Sequence, residues 1–134
     1  MIFAGPDETD HCIFTFIAPR LLVQRFKPTA RFTPDILDAV AADRDRIIGK
    51  VPVALLVCIP PEVPVEAEST NTDHFLGERA ERRIAALALV AESNVMRGVC
   101  KFYFTWFPQP FPAQVFAAEA DALDWLNGQP GWDR

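Results

Sequence analysis

The chain has 134 residues, of which half are apolar and 23% are charged, and its formal net charge is −5 at neutral pH. This length suits one domain with a single buried core, and the composition is too apolar for a disordered chain. An acidic sequence without a cluster of Lys and Arg is not expected to bind nucleic acid, because phosphate recognition requires such a cluster.

The N-terminal third predicts an arm, a β-hairpin and a helix. Residues 1–10 are rich in turn-forming, polar and acidic residues and are expected to form a flexible arm, ahead of a single domain over 11–128. The runs "HCIFTFI" and "LLVQRF" on either side of "APR" are typical of two strands joined by a turn. A helix is expected to start at Thr33 and Pro34, which suit the cap and the first helical position, and to end at Gly49.

The first helix has an apolar side that is expected to face the sheet. Its apolar residues at helical spacing are Leu37, Val40, Ala41 and Ile48, with Ile36 and Ile47 beside them. Its charged residues fall largely on the other side, and they are Asp38, Asp43, Arg44 and Arg46. This pattern places Arg44 on the solvent side.

Two continuous apolar runs in the middle of the chain predict buried strands. "VPVALLVCI" and "RIAALALVA" lack the alternation of a half-exposed strand, and such runs are typical of parallel strands covered on both faces. Between them, "PPEVPVEAEST" is expected to be a loop. A short helix that ends near Arg83 should follow, with Ser69, Thr70, Asn71 or Thr72 as its cap.

The last third predicts a helix, a strand and a helix. The aromatic-rich helix of this part starts after Ser93 and is expected to run to about Phe107, where the prolines of "PQPFP" end it. "AQVFAA" is the last strand, "EADALDWLN" is the last helix, and residues 129–134 form a tail. The resulting order β-β-α-β-α-β-α-β-α indicates an α/β domain with a mostly parallel sheet of four or five strands.

The stretch "RIAALALVAESNVMRGVCKFYFTWFPQPFPAQVFAAEADALDWLN", residues 83–127, resembles the C-terminal half of the SpoIIAA-like, STAS-type bacterial proteins, particularly an uncharacterised branch of them. The shared pattern is a strand ending in a small or acidic residue and Ser, an aromatic-rich helix, a proline-marked turn, a strand ending in Phe, and a helix reading A-L-x-W-L. The matching residues are 91–93, 102–107, 112, 115–116 and 122–126. The resemblance implies a SpoIIAA-like (STAS) fold and a regulatory protein that acts through protein–protein contacts.

The resemblance also raises the question of a phosphorylation switch. STAS proteins that antagonise anti-sigma factors carry a phosphorylatable Ser after an Asp that follows the third strand, but this chain reads "VCIPP" there. Ser69, Thr70 and Thr72 are the other candidates, since a helix N-terminus favours a phosphate. The alternative is that they are ordinary helix caps.

No catalytic, metal or cofactor site is indicated. Cys12, Cys58 and Cys100 lie far apart and are expected to be reduced thiols. His11 is the sequence neighbour of Cys12 on a predicted strand, so the two side chains should point to opposite faces. We therefore expect a protein that is not an enzyme and binds neither metal nor cofactor.

No targeting segment or membrane span is predicted. The apolar runs are shorter than the roughly 20 residues that cross a bilayer. The start "MIFAGPDETD" lacks the basic residues of a secretory signal. A cytoplasmic location is therefore expected.

The aromatic helix leaves several interpretations open. At about 100° per residue, its polar residues form one stripe, Asn94, Arg97, Lys101 and Thr105. We expect the opposite side, centred on Phe102, Tyr103 and Trp106, to cover the sheet. Cys100 and Phe104 then lie outside the arc that a sheet normally buries.

Three coverings are possible for Phe104. The last helix or the loop 60–68 covers it, or a second copy of the chain does, with Cys100, Lys101, Phe104 and Phe107 at a homodimer interface. The third is a pocket for an apolar small molecule, formed by Phe102, Trp106 and Phe111.

We interpret the chain as a non-enzymatic cytoplasmic interaction domain that forms a homodimer and has an unknown protein partner. The alternative is a binding module for a small apolar or lipid-like ligand.

Overall fold

The computed structural model describes residues 6–49, 51–71 and 83–130, and their strands form one sheet. The strands are β1 (Asp7–Glu8), β2 (Cys12–Ala18), β3 (Leu21–Phe26), β4 (Val53–Ile59), β5 (Ile84–Ala91) and β6 (Ala113–Phe116). They lie side by side in sequence order; β1, β2 and β3 pair antiparallel, and β3 to β6 pair parallel. The predicted α/β class with a mostly parallel sheet is confirmed, with six strands instead of four or five.

The additional strand, β1, lies in the segment that was expected to be an arm. Asp7 pairs with Phe14, and Glu8 pairs with Ile13. Ion pairs hold both acidic side chains: Lys27 Nζ lies 2.6 Å from Glu8 Oε2, and Arg46 Nη1 lies 3.3 Å from Asp7 Oδ2. Acidic residues have low strand propensity, so the local sequence carries no signal for this strand.

Helix α1 (Pro34–Ile48) starts and ends where the sequence predicted. Thr33 Oγ1 accepts a hydrogen bond from the N–H of Ile36 at 3.1 Å, and Pro34 occupies the first turn. Gly49 ends the helix with φ of +76°, a conformation that residues with a side chain rarely adopt.

Two further helices follow, α2 (Asn94–Trp106) and α3 (Glu119–Asn127). Ser93 caps α2 by accepting the N–H of Met96 at 3.3 Å. Arg97 donates to the carbonyls of Ala91 and Glu92 at 2.7 and 2.8 Å, which ties the first turn of α2 to the end of β5. The predicted helix that ends near Arg83 falls mainly on residues 72–82, outside the described residues.

The helices cover the two faces of the sheet. On the α1/α2 face, Val40, Met96 and Cys100 pack against residues of the central strands such as Leu55 and Leu87. On the opposite face, α3 packs against the same strands in a second apolar cluster. Its buried residues are Leu21, Val23, Ala54, Leu56, Ala86, Ala88, Val90, Ala122 and Leu126. Strands β4 and β5 are therefore buried on both sides, which explains their unbroken apolar sequence.

Candidate functional site

Helix α2 is rotated about its axis relative to the prediction. Its buried residues are Met96, Cys100 and Tyr103, and Val99 and Phe104 pack against the same core. Phe102 and Trp106, which were expected to cover the sheet, are 61% and 66% exposed. The prediction was wrong because α2 is apolar on most sides, so the periodicity does not define one buried side.

The residues predicted for a dimer interface are mostly covered within the chain. Cys100 is buried, and Phe104 is half-buried against the core of the α1/α2 face. Phe107 is half-buried, with its ring 5.2 Å from that of Tyr103. Lys101 alone of the four is exposed. The rotation of α2 thus removes these side chains from the surface where the sequence placed them.

The three rings predicted to form an apolar pocket do not come together. Phe111 is buried in the core, whereas Phe102 and Trp106 lie on the outside of α2. These two rings stack on each other, with centroids 6.0 Å apart and planes 11° apart. Val95, two turns before Phe102, is also exposed, at 77%. We call Val95, Gly98, Phe102 and Trp106 the aromatic face of α2.

The hydroxyl groups proposed for a phosphorylation switch make internal hydrogen bonds. Ser69 is buried, and its Oγ donates to the carbonyl of Phe32 at 2.7 Å. Thr70 Oγ1 donates to the carbonyl of Ala67 at 2.8 Å, within the 3₁₀ helix Ala67–Asn71. A phosphate on Ser69 would require the loop to separate from Phe32. Thr72 lies outside the described residues.

A cavity of about 100 Å³ lies beneath α2, between the sheet, α1 and the segment 65–70. Most of its wall consists of aliphatic and aromatic side chains, including Phe26, Phe32, Leu37, Val40, Val57, Ile59, Val65, Leu89, Met96, Val99 and Phe104. Its polar residues are Gln24, Arg44, Ser69, Thr70 and Tyr103. The sequence carries no signal for this cavity, since its wall combines residues of three strands, two helices and the segment 65–70. The burial of Arg44 also differs from the prediction, which placed it on the solvent side of α1.

Arg44 is buried at the wall of this cavity. It lies between Val40 and Ile48 on the buried side of α1 and is 6% exposed. Its Nη1 donates to Gln24 Oε1 at 3.3 Å, and Gln24 Nε2 donates to Cys12 Sγ at 3.8 Å. Burial lowers the pKa of Arg44 to about 10, so the guanidinium is charged at neutral pH. The sequence does contain a signal for the burial of Arg44. It lies four residues from both Val40 and Ile48, a spacing that places the three side chains on one side of the helix.

A second polar group, on the α3 face, joins β3, β4 and α3. Arg25 Nη2 donates to Glu119 Oε2 at 3.0 Å, and Cys58 Sγ donates to Glu119 Oε1 at 3.4 Å. The hydrogen bond from Arg25 lowers the pKa of Glu119. Because the two charged side chains are 50% and 41% exposed, we assign this ion pair only a small part in stability.

We expect the three thiols to be unreactive in the folded protein. Burial raises the pKa of Cys12 and Cys58 to about 12 and that of Cys100 to about 11, so all three are protonated at neutral pH and are poor nucleophiles. Intact mass after iodoacetamide treatment at neutral pH should give unmodified native protein and three alkylations after denaturation. Rapid alkylation of one cysteine in the native protein would contradict this prediction.

Neither a metal site nor a membrane span is found in the part of the chain that the structure describes. Within residues 6–49, 51–71 and 83–130, no three His, Cys, Asp or Glu residues are grouped so that they could hold a metal ion. Over the same ranges, every helix is too short or too polar to cross a membrane.

A family model described as a domain of unknown function, DUF7793, matches residues 15–129. The chain belongs to the DUF7793 family. No curated protein matches its sequence.

The fold of this DUF7793 domain is SpoIIAA-like. It is similar to the crystal structure of an uncharacterised protein of the DUF3478 family, with a SpoIIAA-like fold, from Shewanella loihica PV-4. The TM-score is 0.55 at 16% sequence identity, over 91% of this chain and 90% of the other. The fold that the sequence resemblance implied is thereby confirmed, and the likeness at this identity concerns the fold alone.

Proposed function

We propose that this DUF7793 domain is a non-enzymatic interaction module that forms a homodimer through the aromatic face of α2. The observation that carries the proposal is the exposure of Val95, Phe102 and Trp106, at 77%, 61% and 66%, on one side of one helix. Large apolar side chains that cluster on a surface typically mark a contact with another molecule.

The spacing of the aromatic face favours a second copy of the chain as the partner. Val95, Gly98, Phe102 and Trp106 follow one another at intervals of three, four and four residues, the spacing along which two helices pack. Gly98 lies within this face, and an added Cβ there would meet nothing within 4 Å. The face therefore has a notch between the side chains of Val95 and Phe102.

A twofold axis makes this surface complementary to itself. When two α2 helices pack antiparallel about that axis, Phe102 of each copy lies opposite Gly98 of the other. The Phe102 ring then fills the notch, and Trp106 of each copy covers Val95 of the other. Such an interface buries the large apolar side chains that the monomer leaves in water.

The wild-type protein is expected to sediment at equilibrium as a dimer, with about twice the chain mass of 15.0 kDa. Gly98→Leu should convert it to a monomer, because the leucine occupies the notch that receives Phe102. The folded monomer should tolerate this change, since the space around Gly98 is open and leucine is a better helix former than glycine.

Ile17→Ser is the matched control for this experiment. Ile17 is 50% exposed on β2, away from α2, so its replacement removes an exposed apolar side chain without touching the proposed interface. It should leave the dimer intact. A wild-type monomer at high micromolar concentration, or a dimer that Gly98→Leu does not weaken, would overturn the homodimer.

The cavity favours a second function, the binding of a small apolar molecule. Ligand sites in proteins are typically concave and mostly apolar, with a few polar groups that fix orientation. The wall around Phe26, Leu89 and Val99 has this character, and Gln24 and Arg44 supply polar groups. Because the cavity lies on the inner side of α2, ligand binding and self-association would use opposite sides of the same helix. Isothermal titration calorimetry with hexanamide tests this function, and Val99→Phe, which places a larger side chain in the cavity wall, should abolish the binding.

A further inference from the structure

We propose that the cavity beneath α2 binds a small uncharged molecule built on one aromatic ring, which packs among the aromatic side chains of the wall. This inference rests on the second function above, ligand binding by the cavity, and adds the chemical class of the ligand. It is carried by the rings that separate parts of the chain bring to one small cavity, those of Phe26, Phe32, Tyr103 and Phe104.

These rings form two edge-to-face pairs on different elements. Phe26, at the end of β3, and Phe32, just before α1, have ring centroids 4.9 Å apart and planes at 61° to each other. Tyr103 and Phe104 of α2 have centroids 5.2 Å apart and planes at 90°. Aromatic rings favour this arrangement because the positive edge of one ring meets the negative face of another. An aromatic ring in the cavity can make the same kind of contact with members of both pairs.

Other parts of the wall also suit an aromatic ring. Met96 lines the cavity and is 5% exposed, and Cys100 lies one turn further along α2. Methionine sulfur makes favourable contacts with the edges of aromatic rings, and its unbranched side chain adapts to the shape of a neighbour.

The size of the cavity limits the ligand to one ring. The cavity has about 100 Å³ of space. An engineered apolar cavity of about 150 Å³ binds benzene, so a single six-membered ring is close to the largest body that this cavity can hold. Two fused rings or a long acyl chain would not fit inside it.

The polar side chains of the wall are engaged within the chain. Gln24 accepts a hydrogen bond from Arg44, and Arg44 has a further interaction within the chain. Ser69 and Thr70 each donate to a backbone carbonyl. None of these contacts calls for a charged ligand, so the ligand class follows from the apolar part of the wall.

The cavity wall reaches the surface beside α1. Leu37 of α1 and Val65 and Thr70 of the segment 65–70 line the cavity and are half-buried. A small molecule can therefore enter between α1 and this segment without separating α2 from the sheet.

The test compares benzene with cyclohexane on the full chain. Both are uncharged six-membered rings of similar size, but only benzene is aromatic. Each affinity, measured by isothermal titration calorimetry, is divided by the partition coefficient of the compound between water and hexadecane, which removes the difference in hydrophobicity. Benzene should then be favoured by about threefold or more, because aromatic pairs add to the effect of burial alone.

Nuclear magnetic resonance locates the bound ring. Met96 is one of two methionines in the chain, and Met96→Leu identifies its methyl signal. Benzene should shift this signal more than cyclohexane does, because the ring current of benzene acts on nearby protons. Val99→Phe, which places a larger side chain in the cavity wall, should abolish the shift with both compounds.

Phe104→Leu tests the contribution of the wall. Leucine keeps an apolar side chain at this half-buried position but removes the ring, so the corrected preference for benzene should fall by about half or more while cyclohexane affinity stays unchanged. Phe116→Leu is the matched control, since Phe116 is also half-buried but lies on the α3 face. It should leave both affinities unchanged. The wild-type comparison and the Met96 signal test the inference even if Phe104→Leu does not fold.

The outcomes separate this inference from ligand binding in general. Equal corrected affinities, a preference for cyclohexane, or an unshifted Met96 signal would overturn the aromatic ligand. A preference for benzene that Phe104→Leu leaves intact would overturn it as well. Hexanamide binding without benzene binding would overturn the inference and leave the second function in place. Binding of none of the three compounds would overturn both, whereas the homodimer has its own test.

Discussion

Gln24→Leu is expected to lower the free energy of unfolding by about 2–3 kcal/mol, because it removes a hydrogen-bond acceptor from a buried charge. Gln24 is 1% exposed on β3, and its Oε1 accepts the Nη1–H of Arg44. Leucine has a similar volume but no polar atom, so this N–H would face an apolar side chain. Urea unfolding followed by circular dichroism, at one protein concentration for all variants, measures the effect.

The pair of Gln24 and Arg44 should behave as one unit in a double-mutant cycle. Arg44→Met removes the charge together with its need for an acceptor, and such replacements of buried charges by apolar residues are often nearly neutral. The double variant should therefore be more stable than the sum of the single effects predicts, by about 1 kcal/mol or more.

An exposed glutamine provides the control for this cycle. Gln114→Leu, at an exposed position of β6, should change the free energy of unfolding by less than about 0.5 kcal/mol. A Gln24→Leu protein as stable as the wild type would show that the contact with Arg44 contributes nothing to the fold.

The second large effect is expected at the last helix, where Leu126→Ala should cost about 3 kcal/mol of unfolding free energy. Leu126 is fully buried on the α3 face, in the cluster that contains Leu56 and Val90. Truncation removes apolar contacts and leaves a cavity that the sheet cannot easily fill. For a domain of this size, the midpoint of thermal unfolding should fall by roughly 10 °C.

Leu123→Ala is the matched control, since Leu123 lies in the same helix but is only half-buried. It should cost about 1 kcal/mol or less, because less apolar surface returns to water. Equal losses for the two variants would contradict the docking of α3 by its Leu126 side.

The helices and strands could be predicted largely from local chemistry. Thr33 and Pro34 start α1, Gly49 ends it, and Ser93 caps α2. Helix ends leave backbone groups without partners inside the helix, and these residue types suit such positions through their own local chemistry. The two long apolar runs predicted buried strands because a strand covered on both faces has no polar side. The α/β class follows from the order of these elements along the chain.

The candidate site could not be predicted to the same extent. The aromatic face of α2 could not be predicted because apolar residues lie on most sides of that helix. Its orientation depends on tertiary contacts, among them the hydrogen bond from Arg97 to the carbonyl of Ala91 at the end of β5. The cavity could not be predicted because its wall combines residues of β3, β4, β5, α1, α2 and the segment 65–70, which only the folded chain brings together. Strand β1 could not be predicted because its pairing with β2 and its ion pairs are contacts between residues that are not neighbours in the sequence.

The set of elements, their order and the class of fold depend on neighbouring residues and can therefore be derived from the amino-acid sequence. The buried side of α2, the burial of Arg44 and the hydrogen bond from Ser69 to Phe32 depend on contacts between distant parts of the chain. Burial of a given side chain is set by the elements packed against it. Periodicity cannot supply that information where a helix is apolar on most sides or where a charged residue has buried partners.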